Sequence, residues 1–186
     1  MIRIAQQKDI PVLSEIWSQA FADSKSYIDF FMKKRFSSCV SLVNETQERI
    51  SSALYLLPGE LMIEGNAHKA VYLYAAATIP EDRGKGYMSA LLKQAEQTAA
   101  ERGAEFIALV PGDEKLFDFY SKRGYSTAFS VREITMNKEK INSAENVGYR
   151  FSYGILPDFG ALYSLRSKVL GDTVYFSWSE DALKYA

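Results

Sequence analysis

Apolar positions along the chain follow two rhythms, and the changes of rhythm mark its elements. Ile2 to Ala5 reads as a short strand. Asp9 then offers an N-cap and Pro11 suits a first helical turn. Ile10, Leu13, Ile16, Trp17, Ala20 and Phe21 recur at helical spacing. The spacing predicts a second helix over Ser26–Phe36, with Tyr27, Ile28, Phe30 and Phe31 on one side. Lys33, Lys34 and Arg35 close it as a solvated basic end that suits a helix C-terminus. Strand patterns follow at Ser38–Val43, Ile50–Leu57 and Leu61–Ile63, separated by the polar stretch Asn44–Arg49 and by Pro58-Gly59. Gly65-Asn66 then predicts a hairpin turn, with His68 near it.

The pattern is densest between Ala70 and Tyr125. Ala70 to Ile79 is a continuous apolar run, partly β-branched and aromatic, that reads as a buried strand. Arg83-Gly84-Lys85-Gly86-Tyr87-Met88 follows, and then Met88, Leu91, Leu92, Ala95 and Ala99 return to helical spacing, stopped by Gly103. A passage from strand through a glycine turn into a helix aims free N–H groups and the positive end of the helix dipole at one small volume, which suits phosphate.

Phe106–Val110 is a further strand, ended by Pro111-Gly112. Asp113 caps a helix over Glu114–Arg123, and Gly124 stops it. Strand pattern returns at Thr127–Thr135. Met136–Gly148 is polar and weakly patterned, the candidate linker. The tail predicts a strand at Tyr149–Ile155, a helix from about Pro157 to Leu170, a strand at Thr173–Trp178 and a short helix capped by Ser179. The order is a mixed α/β (α+β) sheet with helices on both faces.

Composition narrows the function classes. The net charge of −1 provides no basic field for nucleic acid. No apolar run approaches the ~18 residues that span a bilayer, and MIRIAQQKDI lacks the apolar core of a signal peptide, so a cytoplasmic protein without a membrane partner is the expectation. Cys39 is the single cysteine and reads as a small buried hydrophobe in its strand. His68 is the single histidine, and with no cysteine pair no metal site is expected.

Three phosphate-binding readings compete at the glycine turn. A Walker loop needs Lys-Ser/Thr after its last glycine, and Gly86 is followed by Tyr87 and Met88. A dinucleotide fingerprint needs a third glycine, but position 89 is Ser and the turn comes late in the strand order. The third reading needs Arg or Gln at the head of the turn, a glycine three residues on, and a small or apolar residue opening the helix. Arg83, Gly86 and Met88 occupy those places.

TIPEDRGKGYMSALL resembles the acetyl-CoA-binding motif of the GNAT superfamily of N-acetyltransferases, and LFDFYSKRGY resembles the motif that follows it. Met88 departs from the usual Gly or Ala. The resemblance covers residues 1–135 in element order and implies the acyl-CoA N-acyltransferase fold, with a central, mostly antiparallel sheet. RGKGYMSALL and the long tail look most like the branch related to enhanced intracellular survival proteins, which carry a second, degenerate acetyltransferase-like domain. That likeness implies a first domain at 1–136, a linker at 137–148, the start of a second, incomplete unit at 149–186, and a chain that is a fragment or shortened member.

The resemblance further implies acetyl-CoA as co-substrate and transfer of acetyl to an amine of a small molecule or peptide in a ternary complex. Backbone of Ala77, Thr78 and Ile79 would pair with the pantetheine arm. The N–H groups of Gly84, Lys85, Gly86, Tyr87, Met88 and Ser89 would hold the pyrophosphate, with charge from Arg83 and Lys85. Tyr120 matches the family tyrosine that protonates the leaving thiolate. The base is unassigned among Asp23, Asp29, Glu60 and Glu81, since Tyr72–Ile79 holds no carboxylate. Two rivals stay open: a non-catalytic acyl-CoA-binding module, and a nucleotide-binding domain without CoA chemistry. A homo-oligomer is compatible with such a fold.

Overall fold

A computed structural model of the chain describes residues 1–46, 49–128, 130, 158–171 and 173–184. The strands are β1 (Ile2–Ile4), β2 (Val40–Thr46), β3 (Arg49–Ile63), β4 (Asn66–Thr78), β5 (Phe106–Ala108) and β6 (Tyr175–Ser177). The α-helices are α1 (Ile10–Ala20), α2 (Lys25–Lys34), α3 (Tyr87–Glu101), α4 (Glu114–Ser121), α5 (Phe159–Leu170) and α6 (Glu180–Leu183). All the described strands join one sheet in the order β1-β2-β3-β4-β5, with β6 beside β3. Every pairing is antiparallel except the parallel pair β4–β5.

Alternation along β3 divides the core between the two faces of the sheet. Ala53, Tyr55 and Leu57 pack with Leu13, Ile16 and Trp17 of α1 and with Ile28, Phe31 and Met32 of α2. Leu54 and Leu56 point the other way, against Leu91, Leu92, Ala95 and Ala99 of α3. Near the chain start, Arg3 ties the elements together, its Nη1 2.7 Å from Asp9 Oδ2 and its Nε 2.6 Å from Glu45 Oε2. Asp9 therefore serves Arg3 and the N–H of Gln6 instead of capping α1 with its side chain.

The strand boundaries differ from the pattern in instructive ways. Asn44–Thr46 belongs to β2 and not to a turn, and β3 runs unbroken through Pro58-Gly59. Val40, the first residue of β2, pairs with Leu56, whereas Ser177, the last residue of β6, pairs with Glu60. Pro58 lies between these points, where the outer edge of β3 has no strand neighbour among the described residues, so its missing N–H interrupts no ladder. Gly59 makes room for the tail: a Cβ there would come within 2.3 Å of the Phe176 ring. The hairpin turn is Glu64-Gly65, both with positive φ, one residue earlier than expected. Cys39 precedes β2 after a 3-10 turn, and Arg35 is buried, not solvated.

The tail between Asp158 and Lys184 docks on this same sheet through β6. Helix α5 matches the expected span but leaves Leu162, Leu165 and Val169 exposed. The expected strands at Thr127–Thr135 and Tyr149–Ile155 and the linker at 137–148 lie wholly or mostly outside the described residues. No helix among the described residues is long and apolar enough to cross a membrane.

Candidate active site

Two departures from regular strand geometry create the site. The parallel pairing of β4 with β5 lasts only from Ala70–Phe106 to Tyr72–Ala108, while β4 continues to Thr78. Beyond Tyr72 the two strands separate, which leaves one edge of β4 without β5. Just past the parting, the β3–β4 register slips between Ala53 and Tyr55, so that Ala75 and Ala76 face Leu54 alone. This is a β-bulge, and Ala75 carries it with φ +45°. An alanine held there is strained by about 1–3 kcal/mol, a cost that clusters at functional sites. No glycine marks this bulge in the sequence. The run Ala75-Ala76-Ala77 was the one available hint.

The last residues of β4 divide their peptide groups between two sides. Ile79 N–H donates to Ser51 O at 3.0 Å, and Ile79 O accepts from Asp82 N–H at 3.0 Å. Ala77 is paired with Ala53. Thr78, by the alternation of the strand, turns its peptide groups to the open edge, where Arg83 Nε donates to its carbonyl at 3.1 Å.

The glycine loop follows directly. Gly84 and Gly86 adopt φ +78° and +83°, and a Cβ added at either would meet nothing within 4 Å. Gly86 is the N-cap of α3, and no side chain caps the helix start. The N–H groups of Gly84, Lys85 and Gly86 find no backbone acceptor among the described residues. Those of Tyr87, Met88 and Ser89 belong to the first helical turn, which has no acceptor within its own helix. The loop is therefore a cradle of backbone donors at the positive end of a helix dipole, the arrangement that fits a phosphate.

Side chains hold this cradle from below and from the side. Asp82 is buried, and its carboxylate receives Lys85 Nζ at 2.6 Å and Arg49 Nη2 at 2.7 Å. The hydrogen bond from Lys85 leads the causes that keep the Asp82 carboxyl below the usual carboxylate range, followed by Ser51 and the charge of Arg49. The Lys85 ammonium thus anchors the loop. Met88 packs under the turn, against the apolar layer that holds Leu91 and Leu92. Arg123, which the sequence pattern did not single out, donates to Ser89 Oγ through Nε (3.0 Å) and Nη2 (2.6 Å), and its guanidinium lies 3.6 Å over the Phe119 ring. It pins α4 to the start of α3.

That pin sets Tyr120. The residue is half-buried in the apolar layer that also holds Met88 of α3 and Ala76 and Leu109, which follow the parting of β4 and β5. Burial raises its hydroxyl above the ordinary tyrosine range, against the opposing charge of Arg123, so it stays protonated at neutral pH. Its hydroxyl donates to no group among the described residues.

On the opposite face, Tyr72 and Tyr74 stand beside the α1–α2 layer, with ring centroids 6.2 Å apart. Tyr74 Oη and Tyr27 Oη are 2.9 Å apart. Of the four carboxylates considered as bases, Asp29 pairs with exposed Lys25, and Glu60 and Glu81 are exposed. Asp23 alone is held against the ring cluster, accepting from Trp17 Nε1 at 2.8 Å. Cys39 is half-buried, with burial raising its thiol, which makes it a poor nucleophile. His68 lies on β4, 3.1 Å from Glu105 Oε2, and the described residues hold no cluster that could take a metal ion.

Comparisons with known proteins agree on this architecture. The family model described as an acetyltransferase (GNAT) domain matches residues 1–128. None of the curated proteins matches the chain. A predicted acetyltransferase from Clostridium acetobutylicum, solved with acetyl-CoA, is similar with a TM-score of 0.61 and 19% identity, over 73% of this chain and 95% of that one. An aminoglycoside 6′-N-acetyltransferase from Acinetobacter haemolyticus gives 0.62 and 15%, over 74% and 98%. A probable N-acyltransferase of unknown function from Enterococcus faecalis gives 0.55 and 17%, over 64% of this chain and only 31% of that one. At such identities the shared property is the fold.

Proposed function

The chain belongs to the GNAT acetyltransferase family, and from that premise we propose that it moves acetyl from acetyl-CoA to a primary amine of a small molecule or peptide, by direct attack in a ternary complex. The observation that carries this reading is a continuous one. The open edge of β4 leads through the short turn Pro80–Asp82 to the N–H groups of Gly84, Lys85 and Gly86, which have no backbone acceptor among the described residues, and Tyr120 shares an apolar layer with Ala76 and Leu109 near the parting of the strands. A pantetheine arm has carbonyls for the Thr78 N–H on the open strand edge, where Arg83 holds the Thr78 carbonyl, and a pyrophosphate has oxygens for the loop at Gly84 through Ser89. Arg83 adds exposed charge at the head of that loop.

In the proposed reaction the amine nitrogen attacks the thioester carbonyl. The C–N bond forms, the C–S bond breaks, and the electron pair leaves with sulfur. The bulge at Ala75–Ala76, just past the parting of the strands, is the candidate to stabilise the charge that the carbonyl oxygen gains. Tyr120 gives its proton to the departing thiolate, and Asp23 is the candidate to take one from the ammonium. The inert setting of Cys39 supports direct attack over a covalent enzyme intermediate. The likeness of RGKGYMSALL to the branch related to enhanced intracellular survival proteins supports placing the chain in that branch.

Calorimetric titration with acetyl-CoA, with NAD and ATP as controls, tests the cofactor. Binding near the micromolar range, about −8 kcal/mol, is expected for acetyl-CoA alone. Tyr120→Phe then tests the chemistry: kcat should fall by about 10²-fold or more while acetyl-CoA affinity holds. A chain that binds acetyl-CoA but acetylates no amine would instead be the non-catalytic module, a reading favoured by the lack of a carboxylate on Tyr72–Ile79.

A further inference from the structure

The tail contributes a ring wall that the family match, which ends at residue 128, does not include. Strand β6 seats Phe176 in the notch left by Gly59, and Arg166 Nη2 donates to Phe176 O at 2.8 Å. This seating brings Trp178 over the sheet. Trp178 lies 4.7 Å from Phe176 and 5.4 Å from Tyr72, both between ring centroids. The band then continues through Tyr74 to Tyr27 and Trp17, with Trp17 5.5 Å from Tyr74 and 6.4 Å from Tyr27. It ends at the exposed carboxylate of Asp23, bonded to Trp17.

Trp178, Tyr72 and Tyr74 are each only half-buried, and Tyr27 is exposed. The band lies on the face opposite α3, and Tyr72 and Tyr74 immediately precede the Ala75 bulge. It therefore forms a floor that leads to the parting of β4 and β5 from the side away from the phosphate cradle. A line of half-exposed rings closed at one end by a carboxylate attracts a cation, and its apolar area fits an apolar body.

We propose that Trp178, delivered by the tail, is a specificity-determining wall of the acceptor site, and that the acceptor is a cationic amine carried on an apolar, ring-sized body. This rests on the acetyltransferase reading above. The ammonium lies toward Asp23 and Tyr27, and the apolar body lies across Tyr72 against Trp178. Gly59 acts at one remove, as a positioning residue, because only its missing Cβ lets Phe176 hold Trp178 in place.

The test compares two amines of equal charge on the full chain, phenethylamine and ethanolamine, with saturating acetyl-CoA. The wild type should favour phenethylamine by about tenfold or more in kcat/KM. Trp178→Ala should raise the KM for phenethylamine by about tenfold and that for ethanolamine by much less, with acetyl-CoA affinity held. Trp178→Phe, which keeps a ring, should restore most of the preference. Gly59→Ala, which strikes the Phe176 ring and leaves Trp178 itself in the chain, should reproduce the Trp178→Ala loss. Asp23→Asn, which keeps an acceptor for Trp17, should weaken both amines. Equal effects of Trp178→Ala on the two amines, or no effect, would overturn the proposal and leave the transferase reading intact. A wild type that fails to bind acetyl-CoA would overturn that reading, and this proposal with it.

Discussion

The two faces of the sheet present different materials to solvent. On the α3 side the groups that point at solvent are peptide N–H donors, arranged by two glycines with positive φ and by the start of a helix. Side chains there work underneath, as Asp82, Met88 and Arg123 do. On the α1–α2 side the exposed material is side chain: the rings of Trp178, Tyr72, Tyr74 and Tyr27, and the carboxylate of Asp23. Backbone donors recognise any molecule with phosphate at the right reach, whatever the neighbouring side chains. Ring walls recognise shape and charge and change with every substitution. A fold divided in this way can keep one co-substrate while its acceptor varies.

Substitutions that separate the two faces sharpen this comparison. The largest effect is expected from Gly84→Ala/Gly86→Ala. Each alanine must enter the left-handed region, at roughly 1–2 kcal/mol apiece, so acetyl-CoA affinity should drop by about 10²-fold. With acetyl-CoA at saturation, the phenethylamine preference should be unchanged in steady-state assays. A lost preference would mean that the two faces are not separate.

A smaller effect is expected from Asp82→Asn, because Asp82 supports the cradle without facing it. The folded-state pKa of Asp82 is lowered, so its contribution is fully present above the unfolded carboxylate value and fades as pH falls through the folded one. Thermal melts should show the variant less stable than wild type near neutrality. The gap should close as pH falls below the ordinary carboxylate range. A gap independent of pH would assign the loss to packing and not to the ion pairs with Lys85 and Arg49.

The cradle was legible in the sequence because its chemistry is local. Arg83-Gly84-Lys85-Gly86 sits between an apolar run and a helical one, and the glycines announce the backbone they allow. The helices and most strands were legible for the same reason. The floor was not. Tyr72 and Trp178 are far apart in sequence and meet only because β6 pairs with β3, a contact decided by the fit of Phe176 at Gly59. Pro58-Gly59 looked like a strand break, since a sequence pattern carries no information about which strand edge lacks a neighbour. The Ala75 bulge was hidden because alanine, unlike glycine, gives no sign of a positive φ. Asp82, Arg123 and Asp23 hold their partners through tertiary contacts that no periodicity records.

The most direct test of the account is an amide NMR titration of the wild-type chain, first with CoA and then with phenethylamine. CoA should shift the backbone amides of Thr78 and of Gly84 through Ser89 and leave the Trp178 indole resonance in place. Phenethylamine should then move the Trp178 resonance. CoA shifts that bypass Gly84–Ser89, or that fall first on Trp178, would contradict the division of the sheet into a phosphate face and an acceptor face.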